Sequence, residues 1–279
     1  MRCSQSFSHT WGSDVASAQT AVIQLTGITT RFGQHVVHRN LELSVLQGEV
    51  LCIVGGSGSG KTTLLRQMVG LDRPTQGTIR ILGTALSELR AEELNALRRH
   101  SGVLFQRGAL FSALSVGENV ALPLRELGAF DEELIRELAM LRLEMVGLSR
   151  SDGDKMPAEL SGGMVKRAAL ARALALEPRI VFLDEPTAGL DPESSDSFVE
   201  LIRELHRELR LSVVMVTHDL DTLLALADRI AVLADQRVIV AAPIEEVIKV
   251  QHPFIQNYFL AGRGRRALSA LNQTPPLVA

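Results

Sequence analysis

The sequence predicts an α/β protein organised around a parallel β-sheet. Two patterns carry that prediction. Val50–Val54 is a wholly apolar run, suited to a strand covered on both faces, and a glycine-rich loop and a helix follow it. From residue 180 onward, strand-like and helix-like segments alternate, as they do when crossover helices join parallel strands. Composition agrees. Of 279 residues, 46% are hydrophobic and 22% charged, as in ordinary globular chains, and only 4% are aromatic, so an aliphatic core is expected.

The elements follow in order. Residues 1–20, rich in Ser and Thr and without periodicity, read as an N-terminal tail. Strands are predicted at Val22–Leu25, Val36–Val37 and Leu41–Val45, with turns at Gly33 and Gln47-Gly48. A helix from about Lys61 to Val69 precedes a strand pair around Gly77–Leu82 and a helix near Glu92–Arg99. A strand at Gly102–Phe105 leads into a mainly helical middle. Asp131 starts its clearest helix, where Leu134, Leu138, Leu141, Met145 and Leu148 form one apolar stripe of the kind that packs on a core. Another helix follows Leu160–Gly163. Then come Ile180–Leu183 (strand), Glu193–Leu209 (helix), Ser212–Val216 (strand), Leu220–Leu226 (helix), and strands near Ile230–Leu233 and Val238–Val240. Residues 263–279 read as a C-terminal tail with Arg263, Arg265, Arg266 and Pro275-Pro276. Its arginines suit lipid headgroups, a partner subunit or plain solvation.

Composition also excludes classes of function. Lys plus Arg total 29 and Asp plus Glu 32, a net charge of −3, so no global basic field favours nucleic acid. The longest stretch without these charges, Val15–Thr30, is too short and too polar to span a bilayer. Cys3 and Cys52 are expected to remain thiols.

Three motifs carry chemistry. Gly55-Gly56-Ser57-Gly58-Ser59-Gly60-Lys61-Thr62 fits G-x-x-x-x-G-K-[ST] between a strand and a helix. Its glycines let backbone N–H groups converge on phosphate oxygens, and the helix N-terminus adds partial positive charge. Lys61 reaches the outer phosphates, the Thr62 hydroxyl suits Mg²⁺, and Thr63 is placed for the inner phosphate. Ile180–Leu183 delivers Asp184 and Glu185 at a strand's C-terminal end, one to hold Mg²⁺ and one to act as general base. Ser161-Gly162-Gly163 opens a further helix as a second anion site. One nucleotide does not need two such sites on one chain, whereas two chains arranged head to tail would use both.

Taken together, and in this order, the motifs resemble the nucleotide-binding subunit of an ATP-binding cassette (ABC) transporter over roughly residues 21–262. The resemblance implies a P-loop NTPase fold with a RecA-like parallel core, an antiparallel β subdomain and a helical subdomain inserted at about 107–177. It makes residues 55–62 the Walker A loop, 180–185 the Walker B strand and 160–164 the signature. It also makes Gln106 the Q-loop glutamine that binds Mg²⁺ and faces the membrane partner. Asp191, in Ala188–Asp191, belongs to the D-loop, His218 is the switch histidine at the γ phosphate, and Phe32 stacks on adenine. Met164 departs from the usual Gln that ends the signature. Together with Arg107–Phe111, Leu122–Arg125 and His252–Gly262, it resembles the ATPase of Mla-type, MCE-associated phospholipid transport systems. The expectation is an ATPase using ATP and Mg²⁺, a homodimer on the cytoplasmic face of the inner membrane. It would be held there through a permease, with an MCE-type lipid-binding subunit and a small accessory subunit as further partners. The alternatives are transport of another substrate, a soluble ABC ATPase, or an inactive binding module.

Overall fold

A computed structural model describes residues 20–261; both predicted tails, apart from Thr20, lie outside the described residues, as do Cys3 and Gly262. In chain order, β1 (Ala21–Phe32), β2 (His35–Leu46), β3 (Val50–Gly55), α1 (Lys61–Met68), β4 (Gln76–Ile81), β5 (Thr84–Ala85), α2 (Ala91–Arg98) and β6 (Ser101–Leu104) make the first part. Then come α3 (Val116–Leu127), α4 (Glu132–Met145), α5 (Gly162–Ala173), β7 (Ile180–Asp184), α6 (Pro192–Leu209), β8 (Ser212–Val216) and α7 (Leu220–Leu226). The chain continues through β9 (Arg229–Ala234), β10 (Arg237–Ala242), α8 (Ile244–Val247) and α9 (Pro253–Phe259).

Two sheets result. The antiparallel one has the order β2-β1-β4-β5, and the other β10-β9-β3-β8-β7-β6. In the second sheet β9, β3, β8, β7 and β6 are parallel, and only β10 runs against its neighbour. The short strands expected near the N-terminus are parts of longer ones: β1 and β2 each run 12 residues, interrupted by register shifts. Gly27, at φ +63°, sits at one of them.

β3 explains why its sequence is apolar throughout. Val50, Cys52 and Val54 face a core shared with α3–α7 and α9, while Leu51 and Ile53 face a second core with α1 and the antiparallel sheet. Alternation is present, but both faces are dry. Burial pushes the Cys52 thiol up, so it stays protonated and inert. At Gly102 a side chain would place Cβ 2.2 Å from the Ala173 carbonyl oxygen, so glycine there lets β6 and α5 close on each other.

α3 begins at the Ser115–Glu118 capping box and contains Pro123. Asn119, fully buried, accepts from the Phe111 N–H and donates to the carbonyls of Phe111, Leu114 and Ser115, which fixes the loop that leads into the helix. The apolar stripe expected from Leu134 to Leu148 meets the core only in part: Leu148 is buried, and Leu138 and Met145 pack against the core. Leu134 and Leu141 are 44% and 45% exposed, whereas Ile135, Ala139 and Leu143 are buried. α4 carries two apolar stripes, and it packs on α3 and α5 through the one with the small alanine. Among the described residues no helix is long and apolar enough to cross a membrane.

Ile135→Ala should lower the free energy of unfolding by about 2–5 kcal/mol, and Leu141→Ala by no more than about 0.5 kcal/mol. Denaturant titration of both variants checks this, and the reverse order would restore the original stripe as the core face.

Candidate functional site

Parallel pairing decides where the site lies. β6, β7, β8 and β3 are consecutive neighbours pointing the same way, so the loops that leave their C-terminal ends gather at one edge. Gln106 lies just past β6, Asp184 ends β7, Thr217 follows β8 and Gly55 ends β3. The register places Asp184 opposite Val216 of β8, which also pairs with Ile53 of β3. Asp184 thus stands two strands from β3, level with Ile53, two residues short of Gly55.

The loop is built by contacts only glycine permits. A Cβ on Gly55 would meet the Leu233 carbonyl oxygen at 2.4 Å. At Gly60, with φ +93°, it would meet Val37 at 2.4 Å and His38 at 2.5 Å. Gly60 caps α1 without a side chain, so the first N–H groups of the helix, at Lys61, Thr62 and Thr63, have no intrahelical acceptor. Lys61 Nζ folds over the loop and donates to the carbonyls of Gly55 (2.8 Å) and Gly56 (3.0 Å). Ser57, Gly58 and Thr62 are exposed, while Ser59 and Thr63 are half-buried.

Opposite the loop, Asp184 is 8% exposed. Burial, and then the adjacent Glu185, raise its pKa; Lys166 and Lys61 oppose the rise. Burial lowers the pKa of Lys61, with Glu185 and Asp184 pulling it back up. Two ammonium groups thus share a dry corner with two carboxylates. Glu185 has a left-handed backbone, φ +49°. Its Oε2 lies 2.7 Å from His218 Nδ1 and accepts the His218 backbone N–H at 3.3 Å. The imidazole is mostly exposed while the carboxylate is not, so the histidine caps the acid from the solvent side. A base oriented by a second group is the arrangement needed to activate water.

Gln106 is exposed, and its carbonyl accepts Lys166 Nζ at 2.5 Å. Among the described residues no cluster of three His, Cys, Asp or Glu forms a metal cage. The donors at hand are the Thr62 hydroxyl, the Asp184 carboxylate and the Gln106 amide. An all-oxygen set this sparse suits Mg²⁺, which takes few protein ligands and completes its shell with phosphate and water. The raised pKa of Asp184 is what a bound cation would relieve.

The remaining predicted residues lie apart from this corner. Phe32, at the end of β1, is 58% exposed and free to stack. Ser161 caps α5 by accepting the Met164 N–H at 3.3 Å, which leaves its hydroxyl hydrogen and the Gly162 and Gly163 N–H groups for a ligand. Ser161 and Gly163 border a hollow completed by Met164, Arg167, Glu193, Ser194, Ser197 and Phe198, which no residue of the glycine loop lines. Met164 packs its side chain on the core. The Asp191 carboxylate is occupied in capping α6, accepting the Ser194 N–H at 2.9 Å; the Ser194 side chain, and then that N–H, lower its pKa. Lys166 and His38 were not among the predicted site residues. A cation among the alanines of α5 was the available signal for the first, and none distinguished the second.

A strand–glycine loop–helix unit, with an acid pair at the end of a parallel strand one position beyond its neighbour, defines a P-loop nucleotide hydrolase. The ABC transporter family profile matches residues 38–188. The chain is 42% identical over 230 residues, 82% of its length and 87% of the relative's, to the intermembrane phospholipid transport ATP-binding protein MlaF of Haemophilus influenzae. It is 41% identical, over 83% of its length and 67% of the relative's, to the methionine import ATP-binding protein MetN of Ralstonia nicotianae. It is 38% identical, over 94% of its length and 74% of the relative's, to the probable ribonucleotide transport ATP-binding protein mkl of Mycobacterium tuberculosis. Among solved structures, a dimeric post-hydrolysis state of the ATP-binding cassette MJ0796 with ADP and Pi superposes with a TM-score of 0.73. The identity is 34%, covering 80% of this chain and 98% of that one. The chain belongs to the ABC transporter family as its ATP-hydrolysing cassette, with ATP and Mg²⁺ as the nucleotide and cation such cassettes use.

His38, Thr30 and Gln67 form a buried polar chain from the antiparallel sheet to α1. His38 Nδ1 lies 3.1 Å from Thr30 Oγ1, to which Gln67 Nε2 donates at 3.0 Å. Burial, opposed by the Gly60 backbone, lowers the His38 pKa from 6.5 to about 4. Between those values the unfolded chain binds a proton that the folded one refuses, so stability falls as pH drops through that window and levels off below it. The melting temperature should fall more steeply from pH 6.5 to 4 in the parental protein than in His38→Phe; equal slopes would contradict a buried neutral imidazole.

Proposed function

We propose that this chain is the ATPase subunit of an Mla-type phospholipid transporter, working as a head-to-tail homodimer at the cytoplasmic face of the inner membrane. The observation that carries the hydrolytic part is the single edge at which Lys61, Asp184 and the Glu185–His218 pair meet. Lys61 and the unspent N–H groups of α1 hold the outer phosphates. Asp184, Thr62 and Gln106 hold the cation, and Phe32 stacks on the base. Glu185 takes the proton of the attacking water, with His218 orienting the carboxylate and reaching the γ phosphate. No residue of the chain's own glycine loop lines the hollow at Ser161 and Gly163, which supports its use on the nucleotide of a second copy, with Asp191 at the seam. Triphosphate then binds the closed dimer more tightly than the open one, which is what a population shift requires.

The 42% identity to the phospholipid system's ATP-binding protein supports lipid as the cargo. The absence of a spanning helix among the described residues is consistent with a separate permease. An apolar groove lined by Leu124, Leu127, Phe130, Leu134 and Leu138 offers that permease a seat. It includes part of the outward stripe of α4, whose three- and four-residue spacing matches the apolar face of one docked helix. An MCE-type lipid-binding subunit and a small accessory subunit complete the proposed assembly. The identities to MetN and mkl favour a second reading, the same engine driving another cargo.

Glu185→Gln should bind ATP and dimerise while hydrolysis falls by about 10²–10⁴-fold, and Lys61→Ala should lose ATP affinity; parental turnover in the first or parental affinity in the second would remove the assigned role. Affinity purification of the chain from detergent-solubilised membranes, followed by mass spectrometry of bound lipid, tests the cargo. A permease carrying phospholipid is expected, and a permease whose ATPase responds instead to methionine or a ribonucleotide would replace lipid with that solute.

A further inference from the structure

α5 starts at the signature and is lined with small residues. Ala168, Ala169 and Ala171 are buried, which brings the helix axis close to the sheet. Ser161 and Gly162 are exposed, whereas Lys166, one turn further on, is 4% exposed. A buried ammonium is tolerated only where its hydrogen-bonding capacity is met. Here Nζ donates to the Gln106 carbonyl at 2.5 Å and to the Glu185 carbonyl at 3.0 Å. Asp184 and Glu185 supply the balancing charge.

Both acceptors matter to the reaction. Glu185 is a non-glycine residue in the left-handed region, a conformation that persists only when neighbours enforce it. Its N–H is held by the Val216 carbonyl at 2.8 Å and its C=O by Lys166. The second half of the clamp falls on the loop after β6. Arg172, also on α5, donates to the carbonyls of Gly108 and Ala109, each at 2.8 Å, so the whole 106–109 segment hangs from the signature helix.

We propose that Lys166 is a positioning residue for hydrolysis: it ties the signature helix to the peptide that aims the Glu185 carboxylate and to the loop that presents Gln106. A shift of α5 is thereby delivered to the catalytic base. The inference rests on ATP hydrolysis by this chain and is independent of the cargo.

The test is steady-state ATPase kinetics and ATP binding of the full-length chain, with melting temperature as the control for folding. Lys166→Met keeps the length of the side chain and removes the donors; Lys166→Gln, which keeps an amide donor, replaces it if the methionine protein does not fold. For Lys166→Met, kcat should fall by about 10²-fold, as for a misplaced catalytic group. KM and ATP affinity should stay within about threefold, because the glycine loop is untouched. Lys166→Arg should recover part of the rate. In a Glu185→Gln background the same substitution should leave the residual single-turnover rate unchanged, since the group being aimed is gone. A parental kcat in a folded Lys166→Met protein, or an undiminished further loss in the Glu185→Gln background, would overturn the proposal.

Discussion

The structure depends on one constraint, the parallel pairing of β6, β7, β8 and β3. It carries the Gln106 loop, the acid pair, the histidine and the glycine loop to a common edge without any of them being adjacent in sequence. The strands can be parallel only because both of their faces are covered, by helices on one side and by α1 and the antiparallel sheet on the other. Burial on both faces is also why the edge is dry enough for charges to act strongly there.

That dry edge sets the electrostatics. Lys61, Lys166 and Asp184 are partly withdrawn from water, and the opposite charges beside each offset part of what burial does to its pKa. Lys61 spends its hydrogen bonds on its own loop and can exchange them for phosphate oxygens. Lys166 spends its bonds on backbone carbonyls and has nothing to exchange. On the proposed reading the first is a ligand group and the second a fixed strut, although both are lysines near the starts of helices.

Much of this was legible in the residues. The glycine loop and the acid pair follow from residue type, spacing and flanking strands, His218 comes only with the family resemblance, and β3, β7 and β8 lie where apolar runs predicted them. What failed had physical reasons. On α4, spacing marked Leu134 and Leu141 as core together with Leu138, Met145 and Leu148, but the helix carries a second apolar stripe, and packing on α3 and α5 buries Ile135, Ala139 and Leu143 in place of those first two. α3 falls in the mainly helical middle that was expected, without bounds of its own; it starts at its capping box, and Asn119 fixes the loop before it. The roles of Lys166 and His38 depend on contacts between segments 60 and 22 residues apart, to Gln106 and Gly60, which no local pattern encodes.

The separation of the Ser161–Gly163 hollow from the glycine loop makes the central claim a claim about two chains. Mixing a Lys61→Ala protein with a Gly163→Asp protein tests it most directly, since each alone lacks one half of every composite site. The mixed dimer holds one intact glycine loop facing one intact signature, so the account predicts that ATPase activity returns on mixing. If each chain instead completed its own site, the mixture would stay as inactive as its components, and the account would be contradicted.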